Sequence, residues 1–354
     1  MYKNPYFNPD KAHHRRDGFQ NNDPSFKRKR LYEVLRWKWQ AWRAGAPYPS
    51  TAPIPVVKPD LAFIHANAKA GLAMQPAMTW IGHITVLAQF GGLNFITDPV
   101  FSERCSPVQW AGPKRHTPPG LTMAQLPHID VVLLSHSHYD HLDEASMLAL
   151  SGQAGGPPLF IVPLGLKPWL ARRGIHHVVE LDWWDEHVIE AADAHHPRVT
   201  ITLTPAQHWS SRSPTDAMRT LWGGFAVRAP DCHLFFAGDT AYSPDFIDIR
   251  EHFAAEQTPD QGGGFDMALL PIGAYEPRWF MKDQHCNPSE SVQIFKDLGC
   301  KRALAVHWGT FQLTDEALDE PPRALALARE AAAIAPERFE MLAIGQTRLI
   351  DQRQ

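Results

Sequence analysis

The sequence has only four cysteines, and their spacing does not suit a disulfide framework or a shared metal. The four lie far apart and form no C-x-x-C pair: Cys105, Cys232, Cys286 and Cys300. This argues against a disulfide framework and against a cysteine-based zinc knuckle. No apolar run reaches the roughly 20 residues that cross a bilayer, and MYKNPYFNPDKAHHRRDGF has no apolar stretch behind its basic residues, so we expect no secretory signal. These absences predict a protein of a reducing, cytoplasmic compartment.

Positive charge is confined to the beginning of the chain. The first 58 residues contain twelve Lys or Arg and four Asp or Glu, a net charge of +8, which leaves -12 for the remainder of a chain whose total is -4. A duplex-binding protein normally presents a larger basic face. We therefore expect no nucleic-acid partner.

Residues 26–45, FKRKRLYEVLRWKWQAWRAG, have the pattern of an amphipathic helix. Leu31, Leu35, Lys38 and Trp42 share one stripe, Val34 lies beside it, and Trp37 and Trp39 flank it. A basic, aromatic, amphipathic helix suits a membrane surface. The alternative is a helix that packs its tryptophans on the main domain, and the sequence leaves both interpretations open.

A proline-rich segment separates this helix from the rest of the chain. AGAPYPSTAPIPVVKPD contains five prolines, which exclude a regular helix and favour an extended connector. We therefore divide the chain into an N-terminal basic extension with its connector, residues 1–60, and a main domain, residues 61–354. The length of the main domain suits one large unit.

The main domain alternates short apolar strands with helical stretches. MTWIGHITVLAQF and GGLNFITDPVF predict an opening β-meander with a turn at Gly91-Gly92, and HIDVVLLSHSHYDHLDEASMLAL predicts a buried strand followed by a helix. Further strands are predicted in PPLFIVPLG, VTITLTPAQHW, LWGGFAVRAPDCHLFFAGDT, MALLPIGAYEP and CKRALAVHWGT, with helices in SESVQIFKDLG and PRALALAREAAAIA. The pattern predicts an α/β domain with sheets inside and helices outside.

Residues 135–143, SHSHYDHLD, crowd metal-binding side chains at the end of a predicted buried strand. His136 and His138 alternate along an extended segment and point to the same side, whereas Asp140 and His141 lie where the chain turns into a helix. Neutral imidazole and carboxylate together suit zinc or another first-row divalent ion. The motif therefore predicts a metal site rather than four unrelated surface residues.

Three further side chains at strand ends would complete two ligand sets. They are His208 in TPAQHWS, Asp239 in FFAGDTAYS and His307 in LAVHWGT. One metal would then be held by His136, His138 and His208, and a second by Asp140, His141 and His307, with Asp239 bridging the two.

This ordered set resembles the metallo-β-lactamase fold superfamily, which implies a four-layer αββα sandwich with the metals at one sheet edge. TWIGHITVL, ITDPVFSERCSPVQWAGPKR, PAQHWSSR, FAGDTAY, LLPIGAYEPRWFMKDQHCNPSES and HWGTFQLTDEALDEPP also closely resemble the N-acyl-phosphatidylethanolamine-hydrolysing phospholipase D family. The likeness runs from about residue 77 to the end of the chain and is strongest in AYEPRWFMKDQH.

The resemblance implies a phospholipid substrate whose phosphodiester is cleaved by a hydroxide held between two zinc ions. Asp239 would hold both ions and orient the hydroxide. Gln284 and His285 match residues expected to contact the phosphate, and His285 could also protonate the departing alkoxide; the alternative is a loop histidine that faces solvent. The resemblance also implies a homodimer, at the inner face of a membrane if the N-terminal helix binds lipid.

Other residues around the ligands have predicted supporting roles. Tyr139 would line the substrate pocket or pack beneath it, and His83 and Asp98 would brace the ligands through hydrogen bonds. Trp80 and Trp308 are predicted to lie in the core.

Two other functional interpretations stay open on the sequence alone, because the fold does not determine the reaction. One is a hydrolase of a small soluble ester, lactone or cyclic phosphate, for which the tryptophan-rich helix would be packed away. The other is a non-catalytic metal-binding scaffold.

Overall fold

Two seven-stranded β-sheets with helices on their outer faces make up the main body of the chain. The structure is a computed structural model that describes residues 2–24, 26–190 and 198–353. Both sheets follow the same plan, because in each the first strands pair antiparallel and the later ones parallel. The four-layer αββα sandwich that the sequence predicts is confirmed.

The first sheet has the strand order β16-β3-β4-β5-β6-β7-β8. Its strands are β3 (Ala77–Gly82), β4 (Thr85–Phe90), β5 (Leu93–Thr97), β6 (Val131–Leu133), β7 (Leu159–Pro163), β8 (Val178–Leu181) and the C-terminal β16 (Thr347–Leu349). Strands β3, β4 and β5 form the predicted meander, and Gly91 and Gly92 make its turn with positive φ angles of 60° and 71°. Glycine adopts this left-handed conformation without a steric penalty.

The second sheet has the order β15-β14-β13-β12-β11-β10-β9. Its strands are β9 (Glu186–Ile189), β10 (Val199–Thr204), β11 (Gly224–Ala229), β12 (Cys232–Phe236), β13 (Met267–Pro271), β14 (Ala303–Val306) and β15 (Phe339–Glu340). A small hairpin, β1 (His14–Arg15) with β2 (Gly18–Phe19), precedes both sheets.

The α-helices are α1 (Leu31–Ala44), α2 (Leu61–Asn67), α3 (Glu144–Ser151), α4 (Lys167–Ala171), α5 (Asp245–His252), α6 (Arg278–Met281), α7 (Pro288–Leu298) and α8 (Glu320–Ala331). Helix α7 begins with a capping box in which the Asn287 side chain accepts a hydrogen bond from the Glu290 N–H, and it ends at Gly299, which has a φ of 61°. In the described ranges no helix combines the length and the apolar character needed to cross a bilayer.

The main core lies between the two sheets. Trp80 and Phe95 of the first sheet are in the same fully buried cluster as Leu203 and Phe225 of the second, and Trp308 stacks on Trp80 with ring centroids 4.9 Å apart. A second cluster lies between the outer face of the first sheet and the helices α2, α3 and α4. All four cysteines are free and buried; Cys232, Cys286 and Cys300 lie in the main core, and Cys105 lies in a small separate cluster.

The N-terminal extension packs onto the main body along much of its length. Phe19 is fully buried in the main core, and His13 and His14 contact the two carboxylate oxygens of Asp182 at 2.7 and 2.8 Å. The connector runs extended, and its Val56 forms a parallel bridge with Ile344. The extension is therefore part of the folded body.

One edge of the sandwich collects the polar residues that follow the strands. The loops after β3, β5 and β6 meet those after β10, β12 and β14 there. Polar side chains at this edge come from both halves of the chain.

Candidate metal centre

Three imidazoles converge at the first position of this edge. His136 Nε2 lies 2.8 Å from His138 Nδ1, and His208 Nε2 lies 3.2 Å from the same His138 atom. The first two residues follow β6 and the third follows β10. Three nitrogens this close suit one zinc ion with an open coordination position.

The second position gathers around one carboxylate oxygen. Asp140 Oδ2 lies 3.5 Å from His141 Nε2, 3.3 Å from His307 Nε2 and 3.2 Å from His83 Nε2. His83, predicted as a brace, thus contacts the same oxygen as the predicted ligands. These four residues form a second group that could hold a metal ion.

Asp239 lies between the two groups. Its Oδ2 atom is 3.0 Å from His141 Nε2 and 3.9 Å from His136 Nε2, and its Oδ1 atom is 3.2 Å from His307 Nε2. The structure therefore brings all seven predicted ligands together, with Asp239 in contact with residues of both groups.

Hydrogen bonds on the far side of three rings determine which nitrogen faces the centre. His141 Nδ1–H donates to Asp98 Oδ2 at 2.6 Å, and His208 Nδ1–H donates to the backbone oxygen of Gln284 at 2.7 Å. The Ser135 hydroxyl donates to Asp98 Oδ2 and so accepts from His136 Nδ1–H at 2.9 Å. In each ring the Nε2 lone pair is left for a metal, as ligating histidines require.

The chemistry of the donor set fits metal ions. His141 Nε2 and Asp239 Oδ1 are buried and have no hydrogen-bond partner among the described residues. A buried polar atom without a partner costs about 1–3 kcal/mol, and a cation between these atoms would remove that cost. The residues present therefore match the metal centre that the sequence predicts.

Burial favours the neutral, metal-binding form of His138 and His208. The Asp239 and Asp140 carboxylates instead outweigh burial and raise the pKa of His141 well above its ordinary value, so a metal would displace a proton from that ring. Burial, together with the neighbouring His208, lowers the pKa of His138 to about 3, and burial lowers the pKa of His208 to about 4. Burial opposes charge on Asp239, but His141 lowers the pKa of that carboxyl well below its ordinary value. Neutral imidazole and ionised carboxylate are the protonation states that bind metals.

His285 lies inside the centre rather than in a solvent-facing loop, so the solvent-facing alternative is wrong. Its side chain is buried, with Nδ1 3.8 Å from Asp239 Oδ2. Burial lowers its pKa well below the ordinary value, which favours a neutral ring that donates a hydrogen bond. The Gln284 side chain instead donates to Met281 Sδ at 3.3 Å, and its backbone oxygen orients His208.

The segment that carries Gln284 and His285 is held by its own salt bridge. Arg278 donates to both carboxylate oxygens of Glu290, at 2.7 and 3.0 Å, and to the backbone oxygen of His285 at 3.0 Å. This charge-assisted pair, in which Arg278 Nη2 contacts both Glu290 oxygens, fixes the turn after α6 against the start of α7. The AYEPRWFMKDQH segment therefore places His285 beside Asp239.

Tyr139 lines a cavity of about 590 Å³ beside the ligand motif. Its hydroxyl donates to the Arg212 backbone oxygen at 2.9 Å, and the Arg212 guanidinium lies 4.1 Å from the centre of the Tyr139 ring and 4.8 Å from that of Trp169. The lining of this cavity includes none of the predicted ligands, so a contact between Tyr139 and the substrate stays a prediction.

Three supporting residues had no prediction from the sequence. Ser135 links Asp98 to His136, as described above, and Arg212 donates to the backbone oxygens of residues 137 and 142 at the ends of the ligand loop. Asn21, in the N-terminal extension, accepts from the His208 N–H at 3.1 Å and donates to the His208 oxygen at 2.9 Å. Ser135 and Arg212 lie close in sequence to the ligands His136 and His208, so the sequence could have pointed to them. Asn21 could not be found in this way, because its contact with His208 spans 187 residues.

Three residues of the centre have left-handed backbone conformations although they are not glycines. The φ angles are 53° at His83, 29° at Asp98 and 62° at His307. Such conformations are uncommon for residues with side chains and occur where the surroundings enforce them, often at functional sites.

Comparisons with known proteins agree with this geometry. Residues 93–308 match the β-lactamase superfamily domain. The chain is 39% identical over 250 residues to the N-acyl-phosphatidylethanolamine-hydrolyzing phospholipase D 1 of Caenorhabditis elegans, a match covering 69% of this chain and 67% of the relative. It is also 39% identical over 255 residues to the mitochondrial N-acyl-phosphatidylethanolamine-hydrolyzing phospholipase D of Saccharomyces cerevisiae, covering 71% of this chain but 51% of the relative.

A solved structure shares the fold at low sequence identity. The metallo hydrolase Igni18 of the archaeon Ignicoccus hospitalis superposes with a TM-score of 0.55 at 18% identity, over 77% of this chain and 97% of that one. This likeness concerns the architecture alone.

Proposed function

Because the chain belongs to the β-lactamase superfamily and, within it, to the N-acyl-phosphatidylethanolamine-hydrolysing phospholipase D family, we propose that it is a binuclear zinc phosphodiesterase whose substrate is N-acyl-phosphatidylethanolamine. Its relatives make it a metal-dependent hydrolase. The proposed reaction adds the oxygen of water to phosphorus and breaks the bond to the ethanolamine oxygen, which yields phosphatidic acid and an N-acylethanolamine.

One observation supports this substrate above others. The segment AYEPRWFMKDQH, which resembles the family most strongly, is folded by the Arg278–Glu290 pair so that His285 lies 3.8 Å from Asp239. A generic metal site would not need this segment, whereas an enzyme that orients a phosphodiester needs donors beside its metals.

The side chains have distinct proposed roles. His136, His138 and His208 would hold one zinc ion, and Asp140, His141 and His307 the other. Bound zinc would lower the pKa of water towards 7 and neutralise charge on the phosphate.

Asp239 and His285 would act on the reacting atoms. The Asp239 carboxylate, which contacts His141 and His307 of the second group and lies near His136 of the first, would hold both ions and orient the attacking water. His285, as a neutral ring, would donate a hydrogen bond from its N–H to a phosphate oxygen or to the departing oxygen, and the departing alkoxide would take up the proton that the attacking water loses. Tyr139, at the wall of the adjacent cavity, would contact the lipid headgroup.

The decisive test measures both products from N-acyl-phosphatidylethanolamine in mixed micelles. Zinc-loaded wild type and Asp239→Asn would be compared, with Asp130→Asn as the matched control, because Asp130 lies before β6 at the opposite edge of the sheet and accepts a hydrogen bond from the Asn94 N–H. We expect release by wild type and by Asp130→Asn, and at least a hundredfold loss in Asp239→Asn.

The metal content of each protein separates the other outcomes. If wild type holds two metals per chain and releases neither product, this substrate is wrong, and soluble phosphodiesters and lactones become the next candidates. If all of these also fail, the protein is a metal-binding scaffold. The cytoplasmic location and the homodimer stay predictions.

A further inference from the structure

Helix α1 has one face packed on the rim of the metal centre. The Trp37 ring lies 4.8 Å from that of Phe280, and its Nε1–H donates to Asp315 Oδ1 at 2.9 Å. Ala41 and Val34 belong to the same apolar cluster, which also contains Ala274, Met281 and Leu313. The helix is therefore held against the α6 segment that leads into Gln284 and His285.

The other face of α1 is apolar and open to solvent. Its side chains are Leu31 (73% exposed), Tyr32 (62%), Leu35 (62%), Trp39 (54%) and Trp42 (77%). At 3.6 residues per turn these five positions fall within about 100° of the helix circumference. They form one continuous strip, which we name the α1 strip.

Basic residues border the α1 strip. On the helical wheel Arg36 and Arg43 lie beyond one edge and Lys38 beyond the other, and the Arg36 and Arg43 guanidinium groups each lie 4.8 Å from the centre of a tryptophan ring. Residues 26–45 contain seven lysines or arginines and one acidic residue, Glu33. The Glu33 carboxylate caps the helix by accepting from the Arg30 N–H at 2.7 Å and lies away from the strip.

The segment before α1 brings positive charge next to the metal ligands. The Arg28 guanidinium lies 5.5 Å from the centre of the Trp209 ring, and that ring lies 4.6 Å from the ring of His138. Lys29 pairs with Asp283 at 2.9 Å, immediately before Gln284. The basic and apolar surface is thus continuous with the rim of the centre.

We propose that the α1 strip docks the protein onto an anionic phospholipid bilayer and so brings the metal centre to the headgroups. This partner rests on the lipid substrate proposed above. Tryptophan and leucine side chains would insert at the headgroup level while the flanking arginines and lysine contact anionic lipid, which is how amphipathic helices bind membranes. Because the other face of α1 is packed on the domain, binding of α1 to the membrane would place the whole domain at the membrane surface.

Charge argues against a second copy as the occupant. Two copies related by a two-fold axis would place the same basic helix against itself, and the repulsion between Arg36, Lys38 and Arg43 of one copy and those of the other would oppose pairing. An anionic membrane has the opposite sign and presents no such conflict.

Vesicle flotation tests the proposal directly and needs no enzymatic activity. The zinc-loaded protein would be mixed with vesicles of phosphatidylcholine alone or of phosphatidylcholine with phosphatidylglycerol, at low and high salt. The test variant is Leu35→Ser/Trp39→Ser/Trp42→Ser. The matched control is Leu327→Ser on α8, an exposed leucine (68%) on another helix.

We expect wild type and Leu327→Ser to bind the anionic vesicles at least tenfold more tightly than the neutral ones, with the preference reduced by salt. The triple variant should bind at least tenfold more weakly than wild type at an unchanged melting temperature. Arg36→Glu/Arg43→Glu, which leaves the apolar side chains in place, should abolish the preference for anionic vesicles. The proposal would be overturned if wild type and the triple variant bound vesicles equally, or if wild type did not bind. It would also be overturned if wild type formed a dimer that the triple variant cannot form, because a second copy would then cover the α1 strip.

Hydrolysis then distinguishes failure of this inference from failure of the proposed function. On a short-chain substrate kept monomeric in solution, the triple variant should match wild type, whereas on vesicles its rate should fall at least tenfold. Vesicle binding without hydrolysis of either substrate would refute the substrate and leave the docking surface intact. Equal hydrolysis of vesicles by both proteins would refute the docking surface and leave the substrate intact.

Discussion

Asp98→Asn should weaken the metal position around Asp140 without unfolding the protein. In the structure Asp98 accepts three hydrogen bonds: from the Ser135 N–H, from the Ser135 hydroxyl and from His141 Nδ1–H, at 2.7, 2.5 and 2.6 Å. The amide of asparagine keeps one acceptor oxygen for the Ser135 N–H but presents an NH₂ group to His141 Nδ1. The proton of His141 is then favoured on Nε2, where it occupies the lone pair that would bind metal.

The size of the effect follows from this change of tautomer. Loss of the group that orients a ligating histidine typically lowers metal affinity about 10- to 100-fold, which corresponds to about 1.4–2.7 kcal/mol. The position formed by His136, His138 and His208 should be less affected, because Asp98 reaches His136 only through the Ser135 hydroxyl and the Gln284 backbone still orients His208.

Competition with a chromogenic chelator measures the affinity of each metal position, and elemental analysis gives the stoichiometry. If the centre binds two zinc ions, Asp98→Asn should release one ion at a chelator concentration about 10- to 100-fold lower than wild type requires. Asp130→Asn, the same substitution at the opposite edge of the sheet, should behave as wild type. Retention of both ions by Asp98→Asn with wild-type affinity would refute the assigned tautomer and with it the ligand role of His141 Nε2.

Three other measurements test the structure. The free energy of unfolding of the metal-free protein should fall as the pH drops from about 6.5 to about 4, by roughly 1.4 kcal/mol per pH unit for each of His138 and His208. The reason is that these two histidines bind protons in the unfolded chain but not in the folded one, where they are buried. His141, whose pKa is raised, stays protonated in both states and adds no slope. Chemical denaturation across this range gives the slope, and a flat profile would contradict the burial. Phe19→Ala should lower the free energy of unfolding by about 3–5 kcal/mol, because Phe19 is in the main core. Phe7→Ala, at a partly exposed ring, should lower it by less than about 0.5 kcal/mol. Equal losses would mean that the extension is not part of the core. Chelation should lower the melting temperature, since a metal at 100 times its dissociation constant stabilises the fold by about 2.7 kcal/mol, and an unchanged melting temperature would argue against metal binding.

The sequence predicts most of the ligand set because each ligand directly follows an apolar strand. His136, Asp239 and His307 are visible in this way, and parallel strands bring their carboxyl ends to one edge. The supporting contacts are not visible, because Asn21 bonds the backbone of His208 across 187 residues and a backbone contact has no residue signature. The depth of His285 likewise depends on the Arg278–Glu290 pair rather than on its neighbours in sequence.

Amphipathicity had two interpretations for residues 26–45; the structure shows packing on the domain for one face, and membrane binding by the other face stays a prediction. Trp37 packs on the domain, whereas Leu35 and Trp42 face solvent. A pattern of apolar residues shows which faces of a helix are apolar, but it does not show which of those faces packs against the rest of the protein.

The candidate metal centre depends on the packing of one sheet against the other. The chain leaves the first sheet at Leu181 and enters the second at Glu186, returning only with its last strand, β16. The segment before this crossing supplies His136, His138, Asp140 and His141, and the segment after it supplies His208, Asp239 and His307. Neither half contains all the predicted ligands of either group, so the candidate centre can form only when the two halves of the sandwich have packed together.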